Sequence, residues 1–208
     1  VFFVNAIFRR RGTERLEAFS DGIFAFAVTL LVLNLYDPIA RGSTSLLHGL
    51  LGEWPAFFAF TISFINILIM WMNHHNMFNY INRISREFMF LNGLLLLFVV
   101  LIPFTTLLVS EHLIDSQANT AAAVYAGSFF IVGVVWNLLW HNATHFHNLI
   151  SEDVPESCVK QIAREYSVAP IFFGLALVVS LFSAIASLIV VVLVSIYYGI
   201  TVTGGEQI

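Results

Sequence analysis

Residues 15–35 read RLEAFSDGIFAFAVTLLVLNL, and the fold is decided by how this stretch is solvated. From Leu16 to Leu35 it is long enough to cross a bilayer core of about 30 Å, which takes roughly 20 residues at ~1.5 Å each. It stops at Asp37-Pro38, where proline blocks further helix and restricts the residue before it. A plain lipid anchor has no polar interior, yet this segment carries Ser20 and Asp21 near its start and Thr29 deep inside. A carboxylate near the bilayer centre costs roughly 2.5–3.5 kcal/mol, so Asp21 must face protein or water. Lying only about 8 Å beyond Leu16, it is reachable by water from the near surface.

Outward from this helix the chain stays apolar. Of 208 residues 59% are hydrophobic and 11% charged, and the mean hydropathy is +0.86, far from the balance of a water-soluble domain. Further spans fall at about 54–73, 88–109 and 120–140. The stretch 167–199 is too long for one ordinary crossing, and the small residues Ser183, Ala184, Ala186 and Ser187 suggest a tight turn between helices at 167–182 and 184–199. The expectation is an all-α polytopic membrane protein with six transmembrane helices, or five if the last stretch is undivided. No internal repeat or flexible linker divides the chain, so residues 1–208 read as one transmembrane domain. The short apolar run Val1–Phe8 precedes its arginines, the reverse of a signal peptide, and reads as an amphipathic or disordered lead-in.

The charge pattern orients the spans. Eight of the nine basic residues (Arg9, Arg10, Arg11, Arg15, Arg83, Arg86, Lys160 and Arg164) fall before span one, between two and three, or between four and five; only Arg41 lies opposite. Because basic residues accumulate in cytoplasmic loops, the N-terminus is expected in the cytoplasm of a plasma (inner) membrane protein. The C-terminal tail carries no basic residue, so charge leaves its side open. So few scattered cations exclude a nucleic-acid surface, and the lone Cys158 excludes an internal disulfide.

Depth brings polar groups together. Span two ends Trp71-Met72-Asn73-His74-His75 and span three begins with Asn92 about a turn inside, so Ser20, Asp21, His74 or His75, and Asn92 share one level and can hold the helices by hydrogen bonds. Arg15 lies on a different face from Asp21 and is left to cover Phe19 or reach a neighbouring subunit. The residues Phe26, Leu30 and Leu33 follow i, i+4, i+7 and form one stripe, which taken alone is an ordinary packed helix face.

The motif Arg15-Leu-Glu-Ala-Phe19-Ser20-Asp21 resembles the Arg-x-x-x-Phe-Ser-Asp signature that opens the first helix of the transmembrane protein 175 family of potassium channels. Gly22 through Leu33 resembles that family's pore helix, and Trp71–His75 the end of its second helix. The resemblance implies a moderately selective potassium channel, not an enzyme, needing no cofactor beyond the permeant potassium ions. It implies a homotetramer in the lipid bilayer with helix one lining the central pore. Carried over by position, Phe26, Leu30 and Leu33 are the constriction and gate, Thr29 bears on potassium preference, and Arg15, Phe19, Ser20, Asp21, His74, His75 and Asn92 form the structural signature network. The family usually has isoleucine or leucine where this chain has Phe26. Outside that resemblance, Thr29 reads as a helical threonine bonded back to the Ala25 carbonyl.

The chain lacks the Thr-Val-Gly-Tyr-Gly carbonyl filter, so selectivity must come from another device, with apolar rings gating by dewetting. Asp37 either concentrates cations at the outer mouth or is a solvated helix stop. His141, His145 and His147 are weak metal candidates, since the position after His141 is Asn142 and the His-Glu-x-x-His pattern is missing. His74 and His75 as haem ligands would make an electron carrier, but no second pair spans the bilayer. The more serious rival is a proton- or ion-coupled carrier relaying through Asp21 and a histidine, although repeats and broken helices are not evident.

Overall fold

A computed structural model describes the backbone of residues 2–36, 42, 45–146 and 149–204, and side chains within 12–36, 42, 45–145 and 149–201. Helix α1 spans Phe2–Leu30 and passes into a 3-10 turn at Leu31–Asn34. There follow α2 (Leu46–Gly52), α3 (Trp54–Asn79), α4 (Arg86–His112), α5 (Ala118–His141, continued by a π-turn at Asn142–Phe146), α6 (Glu156–Ser180) and α7 (Ala184–Gly204). Six of these helices are long and apolar enough to cross a membrane. The division of the last apolar stretch falls at Leu181–Ser183, and Ser183 Oγ caps α7 by accepting from the Ala186 N–H at 3.2 Å.

Three boundaries differ from the sequence reading. The lead-in is not separate, because the backbone from Phe2 is continuous with α1. The first span leaves α-helical geometry at Leu30, before the Asp37-Pro38 stop, since Asn34 is drawn to α4. The short α2 was not anticipated, being only seven residues long with two glycines. Helix α3 has 26 residues, about 39 Å, so its last turns project past a 30 Å hydrocarbon layer, which is where Asn73, His74 and His75 stand.

Helix α5 sits centrally against α4, α6 and α7, whereas α1 packs on α3 and α4 and is otherwise open among the described elements. Its close approach to α6 runs through Gly133, where an added Cβ would lie 3.1 Å from the Pro170 nitrogen. A polar seam crosses the apolar core of α3, α4 and α5: Ser63 Oγ lies 2.8 Å from Tyr125 OH and 2.7 Å from Thr106 Oγ1, which is 2.8 Å from the Ile102 carbonyl. Each hydroxyl finds a partner, as burial away from water requires.

At the N-terminal end of the bundle the α3–α4 and α5–α6 connections are tied by an isolated antiparallel bridge between Ile81 and Ile150, with Asn82 N–H donating to Leu149 O and Ser151 N–H to Tyr80 O, both 2.9 Å. Tyr198 OH donates to the Glu165 carbonyl at 2.7 Å, which brings the end of α7 to this same side. An even number of crossings requires that.

Candidate functional site

Helix α1 divides sharply by face. Ser20, Phe24, Ala27, Leu31 and Asn34, spaced by alternating fours and threes, are buried against α3 and α4. The opposite face presents Arg15, Phe19, Gly22, Phe26, Thr29 and Leu33. Phe19 is 60% exposed, Phe26 58% and Leu33 66%. Leu30 stands half-buried at the border of this open face. Thus Phe26 and Leu33 project from the unpartnered side and Leu30 flanks it.

Thr29 Oγ1 donates to the Phe26 carbonyl at 2.8 Å, one residue nearer than the Ala25 carbonyl expected from the i−4 pattern. With its single proton committed there, the hydroxyl oxygen keeps its lone pairs for whatever occupies the open side. Asp37 and His147 lie outside the described residues, as does the side chain of Arg41.

The face turned inward is held by a directional relay. His74 Nε2 lies 2.9 Å from Asn92 Oδ1, Asn92 Nδ2 donates to Ser20 Oγ at 2.9 Å, and Ser20 Oγ donates to the Leu16 carbonyl at 2.9 Å. Because Asn92 spends its amide protons toward Ser20, its oxygen faces His74, so Nε2 carries the imidazole proton. All three side chains are fully buried. The His74 ring is packed beside Phe78 at 4.6 Å and Phe24 at 5.3 Å between centroids, and its Nδ1 meets no partner among the described residues.

Asp21 stays out of this relay, contrary to the expected single cluster. Lying 100° around the helix from Ser20, it turns toward α3 and accepts from Trp71 Nε1 at 2.9 Å. His75 likewise pairs with Glu17, Nδ1 to Oε1 at 2.8 Å, rather than with Asp21. Glu17 and Asp21 are four apart on α1, and Trp71 and His75 are four apart on α3 with stacked rings, so the antiparallel helices meet as a two-rung ladder. Arg15 stands exposed on the open face, outside both groups. Glu17 and Trp71 were missed from sequence; their signal was that each stands one turn from a residue already singled out.

Two of the three histidines at the end of α5 lie among the described residues. His141 and His145 stack with centroids 4.3 Å apart and planes 24° from parallel, at the point where α5 passes into the π-turn. Nearly parallel rings do not aim their in-plane lone pairs at one point, and His145 Nδ1 is 2.7 Å from Thr144 Oγ1. No group of three His, Cys, Asp or Glu side chains suited to a metal occurs among the described residues. His74 is engaged with Asn92 through Nε2 and His75 with Glu17 through Nδ1.

Comparison with known proteins bears on this geometry. The family profile described as "Endosomal/lysosomal potassium channel TMEM175" matches residues 15–103, the segment holding α1, the relay and the ladder. A protein of Chamaesiphon minutus named as a potassium channel is 40% identical over 190 residues, covering 90% of this chain and 94% of that one. A Streptomyces collinus protein, also named as a potassium channel, is 36% identical over 186 residues, covering 89% and 90%. A crystal structure described as a lysosomal potassium-selective channel TMEM175 homolog from Chamaesiphon minutus superimposes with a TM-score of 0.82 at 39% identity, over 92% of this chain and 98% of that one. With the signature helix, the six crossings and full-length similarity in agreement, this chain belongs to the TMEM175 family.

Proposed function

We propose that this chain is one subunit of a potassium-selective cation channel, a homotetramer in which four copies of α1 turn their open faces to a common axis. The observation that carries the reading is that open face: Arg15, Phe19, Gly22, Phe26, Thr29 and Leu33 recur at alternating fours and threes, so they form one continuous exposed face that no other described element of the subunit covers. It joins bulky apolar side chains to one hydroxyl, that of Thr29. Relatives named as potassium channels over nearly the whole chain give the same direction.

In this reading Phe26, Leu30 and Leu33 form the narrow, dewetting part of the pore. Four Thr29 oxygens offer the acceptors that replace part of a cation's hydration shell. With few fixed oxygens, preference for potassium over sodium is moderate. Conduction is passive and needs no cofactor or catalytic step. The buried relay and the Glu17/Asp21 ladder hold α1 upright on α3 and α4 so that its free face keeps its azimuth. The basic-residue pattern supports a plasma-membrane orientation with the N-terminus in the cytoplasm.

The test is flux in proteoliposomes loaded with potassium and diluted into sodium, read by protonophore-coupled dye quenching, with valinomycin as the ceiling and sodium substituted in parallel. The expected result is potassium flux well above empty vesicles, weaker with sodium, and dependent on added protonophore. Quenching without protonophore would mean proton conduction. No flux from protein of verified assembly would move the assignment to the coupled-carrier class.

A further inference from the structure

The outer end of α1 changes its winding. Leu31–Asn34 forms a 3-10 turn, and the Leu35 N–H donates to the Val32 carbonyl at 3.0 Å, an i→i−3 bond. In 3-10 winding, residues three apart eclipse, whereas an α-helix leaves them about 60° apart. Two pairs are therefore brought into line. Leu31 and Asn34 both face the core and are buried, and Leu33 comes to stand over Leu30.

Nothing in Leu-Val-Leu-Asn prevents a continued α-helix, as it contains neither proline nor glycine. A tertiary bond accompanies the change. Asn34 is 6% exposed, and its Nδ2 donates to the Pro103 carbonyl of α4 at 2.9 Å. An unpaired amide at this depth is costly. Pro103 sits inside α4, where its missing N–H leaves the Val99 carbonyl one turn away without a helical donor, while its own carbonyl accepts from Asn34.

We infer that Asn34 is a positioning residue for the outer constriction: its bond to the Pro103 carbonyl holds the last turn of α1 in 3-10 winding and thereby stacks Leu33 over Leu30 as one apolar column. When the bond is lost, the turn relaxes toward α-helical winding and Leu33 swings aside by about 60°. The inference rests on the pore assignment of α1.

The test uses cysteine accessibility in the full-length channel with Cys158→Ser. Leu30→Cys and Leu33→Cys are each combined with Asn34, Asn34→Ser, whose hydroxyl bonds back within its own helix, and Asn34→Gln, which keeps an amide donor. A charged methanethiosulfonate is applied during current recording. Modification at Leu30→Cys is expected to block current at a rate indifferent to residue 34. The rate at Leu33→Cys should change by about tenfold with Asn34→Ser, the order of change one hydrogen bond controls, and return toward the parent value with Asn34→Gln. Asn34→Leu, which keeps the side-chain volume and removes the amide donor, is read the same way and decides the matter if the serine variant does not assemble. Block at Leu30→Cys with a Leu33→Cys rate unmoved by Asn34→Ser or Asn34→Leu overturns the inference and leaves the pore standing. Conducting protein with no effect of modification at Leu30→Cys overturns the pore assignment itself.

Discussion

Asn92 is the side chain on which α1, α3 and α4 all depend, because it is at once the acceptor for His74 and the donor to Ser20. Asn92→Ala strands both buried partners, and a loss of about 1–3 kcal/mol is expected, within the range for buried and intramembrane hydrogen bonds. Detergent unfolding should show it as an earlier transition, and a double-mutant cycle with His74→Ala should show strong coupling. Additive effects would mean the bond carries little. Asp21 is a milder case, being half-exposed and bonded to Trp71 alone among the described contacts. Asp21→Ala is expected to reduce assembled oligomer, while Asp21→Asn, which keeps an acceptor oxygen, should be nearly silent in assembly. An intact oligomer with an altered reversal potential would instead place Asp21 in ion selection. Depth along the helices made Ser20, His74 and Asn92 legible in the sequence as neighbours. Azimuth was not legible: that Asp21 faces Trp71 and Glu17 faces His75 follows from how α1 is rotated against α3, and one sequence fixes depth but not rotation.

At the scale of elements, α5 and α6 meet closely because Gly133 admits the Pro170 backbone. Gly133→Ala puts a Cβ at 3.1 Å from the Pro170 nitrogen and 3.2 Å from its Cδ, contacts a ring-locked backbone cannot relieve by a rotamer change. A loss of about 1–3 kcal/mol is expected, with a lowered Tm in detergent. Gly127→Ala on the same helix meets only Leu177 Cδ1 at 3.7 Å and should match the parent protein. Equal effects of the two would deny the close approach. In the loop between α4 and α5, Asp115 accepts from His112 Nδ1 at 2.8 Å and from the Gln117 N–H at 2.6 Å. These bonds, the His112 contact first, hold its carboxyl below the ordinary value of 3.8. A depressed folded value means the loop's extra stability is present above the ordinary carboxylate range and is lost as pH falls through the folded value. Hydrogen exchange at the Gln117 amide should therefore stay protected at neutral pH and lose protection in acid, and Asp115→Ala should lose it at every pH. The six long helices were legible because length and hydropathy suffice to set them. The 3-10 turn was not, since Leu31–Asn34 has no proline or glycine of its own and the bond from Asn34 to the Pro103 carbonyl joins residues 69 apart in the chain.

For the whole molecule, the six helices leave α1 at the edge with its second face open, an arrangement that leaves a continuous face for further copies or lipid. The sequence disclosed the stripe but not its edges: Leu30, grouped with Phe26 and Leu33 by spacing, stands half-buried at the flank, while Thr29 faces fully outward. In the proposed pore the apolar positions Phe26, Leu30 and Leu33 carry no charge, so water, not a charged gate, is what must be admitted for ions to pass. The most direct measurement is planar-bilayer recording of the parent channel beside Phe26→Asn, which wets the bulkiest ring without adding charge. Potassium currents reversing near the potassium equilibrium potential, and larger with Phe26→Asn, are the predicted result. Currents identical in the two proteins would contradict the account, because Phe26 would then face lipid or a neighbouring helix and not the conducting path.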